Sequence, residues 1–160
     1  MDSASQGLLV LFIILLFCSA YCSCSESAFS VANKIRLKTK ADEGNKRAKK
    51  AMYILTHFDD ALTTLLICNN IVNITLSSIA TVLFIELLGG DIGATVSTAV
   101  ITVVVLIFGE ITPKSIAKES PEAFARFSAP IINFIAVILT PVNYLFSLWK
   151  KLVSLVVKSS

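Results

Sequence analysis

Charged residues are absent from four long stretches of the chain, and apolar residues dominate each of them. These stretches are residues 3–25, 61–85, 92–109 and 127–149. The hydrocarbon core of a bilayer takes about 20 apolar residues in helical form, so each stretch has roughly the length of a membrane span. The pattern predicts an all-α integral membrane protein, and a composition of 55% hydrophobic and 16% charged residues supports it.

Polar residues and glycines place the boundaries of the spans. We predict one transmembrane domain over residues 1–160, with spans at about residues 8–32, 60–88 and 92–112. Asp59 and Asp60 suit the start of the second span, because carboxylates stabilise the positive end of a helix dipole. Gly89 and Gly90 separate the second span from the third. The small residues near Gly93 predict that the third span packs closely on another helix or subunit.

The fourth uncharged stretch allows two interpretations. Pro130, Pro141 and Asn143 interrupt it, and a crossing there would place Lys150 and Lys151 outside the cell. We favour an amphipathic segment and juxtamembrane belt helices over about residues 113–150, on the cytoplasmic side of the membrane. A fourth crossing is the alternative.

The charge distribution predicts the orientation. Residues 34–50 carry eight basic and two acidic side chains, whereas residues 86–91 carry acidic side chains and no basic one. By the positive-inside rule, the basic segment is cytoplasmic, with the N-terminus outside and the C-terminus inside. Beside a span, such a cluster favours anionic lipid over nucleic acid as its partner. The first apolar stretch lacks the basic flank of a signal peptide, so we expect it to remain as a span of a plasma-membrane protein.

Motifs of soluble enzymes are missing from the sequence. It has no nucleotide-binding loop and no catalytic triad, so we predict that the chain is not an enzyme. His57 has no partner at ligand spacing. The cysteines lack the paired CxxC spacing of a zinc site, and we interpret them as small packing residues: Cys18, Cys22, Cys24 and Cys68.

Oxygen-bearing side chains recur within the first two spans. Ser19 and Ser23 are four residues apart, so they share a face of the first helix. The second span contains Asn69, Asn70 and Asn73, and several amides within one turn are costly in lipid unless they bond a neighbour or an ion. Serines bonded to their own backbone, or asparagines joining helices, would be the simpler explanation of each group alone.

The end of the third span contains a backbone feature that adds to this set. Proline lacks the N–H that would bond the carbonyl four residues earlier, which for Pro113 is that of Gly109. The freed Gly109 carbonyl lies next to the Glu110 carboxylate in sequence. Together with the serines and asparagines, these groups predict an all-oxygen site for a hard cation such as magnesium, calcium or sodium.

At these residues the chain resembles the membrane domain of the CorB/CorC and cyclin M (CNNM) family of magnesium transporters. The resemblance covers about residues 11–151. Its signatures are Ser-Ala-Tyr-Cys-Ser-Cys-Ser-Glu-Ser-Ala at residues 19–28, Leu-Ile-Cys-Asn-Asn-Ile-Val-Asn at residues 66–73 and Gly-Glu-Ile-Thr-Pro-Lys at residues 109–114.

The resemblance implies a homodimer with three membrane helices and a juxtamembrane belt in each protomer. It also implies sodium-coupled magnesium export by alternating access, with Mg²⁺ held without its water shell. A membrane-embedded magnesium sensor that regulates a partner transporter is the alternative function. The metal ligands implied by the motifs, with Asn70 as a neighbour, are Ser19, Ser23, Asn70, Asn73, Gly109 and Glu110.

Two departures from the family accompany the resemblance. Cys68 stands where relatives usually have glycine. Relatives also continue into a cytoplasmic pair of CBS modules that bind ATP, and these 160 residues contain no such pair. We therefore expect ATP to act only through a module outside this chain.

Overall fold

The structure is a computed structural model that describes residues 3–158. The described chain is helical throughout, with eight α-helices and one π-helical segment. The elements are α1 (Ser3–Val31), α2 (Lys34–Asp42), α3 (Lys46–Thr56), α4 (Phe58–Leu88), α5 (Gly90–Val104), the π segment (Val105–Ile111), α6 (Thr112–Glu119), α7 (Pro121–Ile138) and α8 (Thr140–Lys158).

Within the described residues, four helices are long and apolar enough to cross a membrane. They are Ser3–Val31, Phe58–Leu88, Gly90–Glu119 and Pro121–Ile138, where the third combines α5, the π segment and α6. The all-helical membrane architecture is therefore confirmed, whereas the three-span count stays a prediction. The uncharged stretch at residues 127–149 does not form a single helix, because α7 ends at Ile138 and α8 begins at Thr140.

Glycine forms the turn between α4 and α5, as the sequence predicts. Gly89 has φ of +86°, a left-handed conformation that side chains disfavour. Beyond the turn, Gly93 packs directly on α4: a Cβ there would lie 2.5 Å from the Phe84 carbonyl oxygen. The expected close packing of this face is thus made with α4 of the same chain.

The basic segment after α1 folds into two short helices with asparagine caps. The Asn33 side chain accepts hydrogen bonds from the Ile35 and Arg36 amides, and that of Asn45 accepts one from Ala48. Such caps satisfy backbone donors that a helix start leaves free. The two helices return the chain from α1 to α4 beneath a buried apolar cluster of Phe29, Leu37, Ala51, Ile54, Leu55, Leu65, Ala125, Ala129 and Ile132.

Helices α1 and α4 are antiparallel and are held at both ends. At one end the buried apolar cluster joins them to α7. At the other end, the Ser5 hydroxyl lies 2.7 Å from each carboxylate oxygen of Glu86. The candidate site lies between these two fixed ends, where Ser19 of α1 contacts α4.

Candidate cation site

Side-chain oxygens of α1 and α4 converge at Ser19. The Ser19 side chain is fully buried, and its Oγ lies 3.0 Å from Oδ1 of Asn69 and 2.7 Å from Oδ1 of Asn73. The two asparagines are four residues apart, so helical periodicity turns both toward α1. A serine has a single hydroxyl proton and can donate it to only one of these oxygens at a time. With the amides in this orientation, three oxygens share one proton.

The Ser23 hydroxyl lies one turn farther along the same face of α1. Its side chain is fully buried, and its Oγ has no hydrogen-bond partner among the described residues. A buried polar atom without a partner costs roughly 1–3 kcal/mol. Membrane-helix serines commonly bond the carbonyl four residues back, as Ser77 and Ser78 do in α4. Ser23 therefore carries an unused oxygen inside the helix bundle.

Gly109 brings the third helix against Ser19. Gly109 is buried, and a Cβ built on it would lie 3.0 Å from Ser19 Oγ and 3.6 Å from Ser19 Cβ. Any larger residue would push into the serine, so glycine allows the backbone of the π segment to approach this point. The structure thus brings Ser19, Asn73 and Gly109 together from three elements.

The distortion at Pro113 takes the form of a π helix. The Thr112 amide donates to the Ile107 carbonyl, five residues back. In this register Pro113 removes the donor of the Phe108 carbonyl, whereas in an α register it removes that of Gly109. The sequence-based argument that Pro113 frees the Gly109 carbonyl therefore does not apply in the π register, and Gly109 remains a candidate through its contact with Ser19 alone. Since π bulges are frequent at functional sites, the segment is a sound place for a backbone ligand.

Glu110 follows Gly109 on the π segment and is partly buried. Its carboxylate makes no hydrogen bond or ion pair with any residue that the structure describes. Next to it, α6 is fixed to α1 by two contacts: the Cys24 thiol donates to the Pro113 carbonyl at 3.1 Å, and Lys114 pairs with Glu26 at 3.5 Å. The basic Lys114 is thus engaged by another carboxylate.

The structure places Asn69, rather than Asn70, next to Ser19. Asn70 is exposed and lies on an open groove with Asn73, Ser77 and Thr81, away from α1. Asn69, which the predicted ligand set omits, contacts Ser19 instead. The four-residue spacing of Asn69 and Asn73 was the available signal, but only the rotation of α4 about its axis selects this pair over Asn70 and Asn73.

The donor set consists mainly of neutral oxygens. Within the described part of the chain, no three histidine, cysteine, aspartate or glutamate side chains are grouped to hold a metal ion. Glu110 is the one acidic residue in the predicted ligand set. Hydroxyl, amide and carbonyl oxygens with a single carboxylate suit a hard cation and disfavour a soft one.

Comparison with known proteins agrees with this architecture. Residues 10–159 match the model of the cyclin M transmembrane N-terminal domain. A UPF0053 protein of Haemophilus influenzae is 41% identical over 150 residues, which are 92% of this chain and 36% of that protein. The UPF0053 inner membrane protein YfjD of Escherichia coli is 36% identical over 129 residues, 81% of this chain and 30% of that protein.

A plant protein extends the comparison. The chloroplastic DUF21 domain-containing protein At1g55930 of Arabidopsis thaliana is 31% identical over 140 residues, 86% of this chain and 20% of that protein. The chain spans about a third of the length of the two bacterial relatives. It is a multi-span membrane protein, and it belongs to the cyclin M (CNNM, DUF21/UPF0053) transmembrane domain family.

Proposed function

We propose that this chain is the membrane unit of a magnesium transporter. The observation that carries the proposal is the convergence of oxygens at Ser19, where two amide oxygens and a hydroxyl share one proton. A cation bound in this cluster would supply positive charge to the oxygens that lack a hydrogen-bond donor. Ser23, with its buried and unpartnered hydroxyl, adds a further oxygen one turn away.

The chemistry of these oxygens favours a hard cation. Magnesium binds oxygens at about 2.0–2.1 Å in octahedral geometry, so adjacent ligands lie about 2.9 Å apart. The separations of 3.0 Å and 2.7 Å from Ser19 to the two asparagines are ordinary hydrogen-bond lengths that such a cage accommodates. Ser19, Ser23, Asn73, Gly109 and Glu110 are the proposed ligands, and Asn69 joins them in place of Asn70.

Transport, rather than permanent binding, fits the charge of the site. A single carboxylate, Glu110, faces a divalent ion, so the loaded site keeps a net positive charge that favours release. We propose sodium-coupled export by alternating access in a homodimer at the plasma membrane, with the N-terminus outside. The basic helices α2 and α3 support that orientation through the positive-inside rule.

Magnesium flux in liposomes tests the proposal. The Glu110→Ala variant should lose at least about 100-fold in flux, because it removes the charge of the site (ΔΔG of roughly 3 kcal/mol). Glu119→Ala is the matched control, because it removes an exposed carboxylate of α6 and should leave the flux unchanged. Unchanged flux in Glu110→Ala would refute the site. A wild-type protein that binds magnesium but moves none would support the sensor function instead.

A further inference from the structure

Two cysteines face each other next to the candidate site. Cys22 of α1 and Cys68 of α4 are close enough for their thiols to interact. The Cys22 side chain is buried at 2% exposure, and Cys68 is partly buried. Sequence reasoning treated all four cysteines as packing residues, because it did not place α1 against α4.

The register of the two helices supports this pairing independently. Cys22 lies three residues after Ser19, and Cys68 lies one residue before Asn69 and five before Asn73. Because α1 and α4 are antiparallel and Ser19 meets both asparagines, a step forward on α1 corresponds to a step back on α4. Cys22 and Cys68 therefore lie at the same level along the α1–α4 contact.

The other two cysteines have different surroundings. Cys18 is exposed on the outside of the bundle, and the Cys24 thiol donates to the Pro113 carbonyl of α6. Each lies on α1 within about one turn of Cys22, and Cys68 is the one cysteine of α4. They provide matched controls in the same helix.

We propose that Cys22 and Cys68 form a modification site, a dithiol that an oxidant closes to a disulfide between α1 and α4. A disulfide requires a Cα separation of about 4.4–6.8 Å. Ser19 and Ser23, on either side of Cys22 along α1, are small residues of the kind that favour close helix packing in a membrane. With a diazene such as diamide as oxidant, each thiol loses its proton and the sulfurs form one S–S bond. The two protons and two electrons pass to the N=N bond, which becomes a hydrazine.

The bond would cross the contact that holds Ser19, Asn69 and Asn73. It would fix the two helices within about one turn of the cation ligands, and a reducing cytosol would reopen it. An effect of this bond on magnesium flux rests on the proposed function, whereas formation of the bond does not. The two are therefore measured separately.

Thiol counting after oxidation tests the bond. The full chain in membranes is treated with diamide, denatured, and labelled with a maleimide that shifts the mass once for each free thiol. The wild type should fall from four free thiols to two. Cys18→Ser and Cys24→Ser should each fall from three to one, whereas Cys22→Ser and Cys68→Ser should stay at three.

Peptide mapping of the oxidised wild type removes any dependence on the variants. A peptide containing residue 22 should be joined to one containing residue 68 within a single chain, and dithiothreitol should separate them. Four free thiols after oxidation would overturn the proposal, as would thiol loss that persists in Cys68→Ser or a bond between two chains. In a parallel flux assay, oxidation should lower the transport of the wild type at least tenfold and leave Cys68→Ser unaffected. Bond formation without this loss would overturn only the expected effect of the bond on transport, whereas a wild type that moves no magnesium before oxidation would count against the proposed function.

Discussion

The contact between α1 and α4 and the contact between α4 and α5 both carry polar side chains inside membrane helices, yet they satisfy them differently. Along α4 and α5 the hydroxyls of Thr81, Thr98 and Thr102 each donate to the carbonyl four residues back in their own helix. The buried Ser97 hydroxyl of α5 lies 3.5 Å from the Thr81 hydroxyl of α4 and pairs with it. At the α1–α4 contact, Ser19 donates across to another helix, and Ser23 finds no partner in the described chain.

This difference separates packing from binding. A hydroxyl that donates its hydrogen bond to a carbonyl of its own helix costs little free energy in lipid and needs no ligand. A buried oxygen that lacks a donor raises the free energy of the protein until something positive approaches it. The number of polar residues in a span is therefore a poorer guide to a site than the lack of a hydrogen-bond partner, which among the described residues marks Ser23, Ser25 and Asn143. Of these three, Ser23 lies on the face of α1 that carries Ser19.

A large effect on stability should come from the packing contact between α4 and α5. Gly93→Ala places a Cβ 2.5 Å from the Phe84 carbonyl oxygen and 2.6 Å from the Ile85 Cα, both backbone atoms that yield little. We expect destabilisation of about 1–3 kcal/mol, measured as a lower midpoint of thermal unfolding in detergent. Gly90→Ala, which meets nothing within 4 Å, is the control and should not lower the midpoint. Equal midpoints for the two variants would show that α5 does not pack on α4 as described.

Removal of a side chain at the α1–α4 contact should lower the magnesium affinity rather than disturb the helix packing. Asn73→Ala removes an oxygen next to Ser19, and we expect magnesium affinity to fall roughly 10- to 100-fold, as loss of a charge-assisted contact of about 1.5–3 kcal/mol predicts. Asn70→Ala removes an exposed amide from the same helix turn and should change the affinity less than twofold. Isothermal titration calorimetry measures both. A larger loss in Asn70→Ala would restore the ligand set that the sequence predicts.

The smallest effect should come from a hydroxyl of the α4–α5 groove. Thr98→Val keeps the shape of the side chain and removes an exposed hydroxyl that bonds only the Ala94 carbonyl. We expect a change in stability within about 0.5 kcal/mol and no measurable change in magnesium affinity. A tenfold loss of affinity would extend the site into this groove and weaken the distinction between the two contacts.

Hydropathy and turn residues predict much of the architecture, because both depend on short segments of sequence. The first three apolar stretches fall within long helices, and Gly89 ends α4 where the sequence predicts. The sequence does not predict the π segment. Pro113 requires a break in the backbone hydrogen bonds, but it does not determine whether the register before it is α or π. The choice between Asn69 and Asn70 depends on the rotation of α4 against α1, which no local pattern encodes. The proximity of Cys22 to Cys68 depends on the same rotation.

Ser23→Ala tests the central claim most directly, because binding and packing predict opposite results. The hydroxyl is buried without a partner, so its removal should leave the magnesium-free protein as stable as the wild type or stabilise it by about 1 kcal/mol. If Ser23 is a ligand, the same variant should lose at least tenfold in magnesium affinity, with a smaller rise of the unfolding midpoint on adding magnesium. Wild-type affinity together with unchanged stabilisation by magnesium would contradict the account.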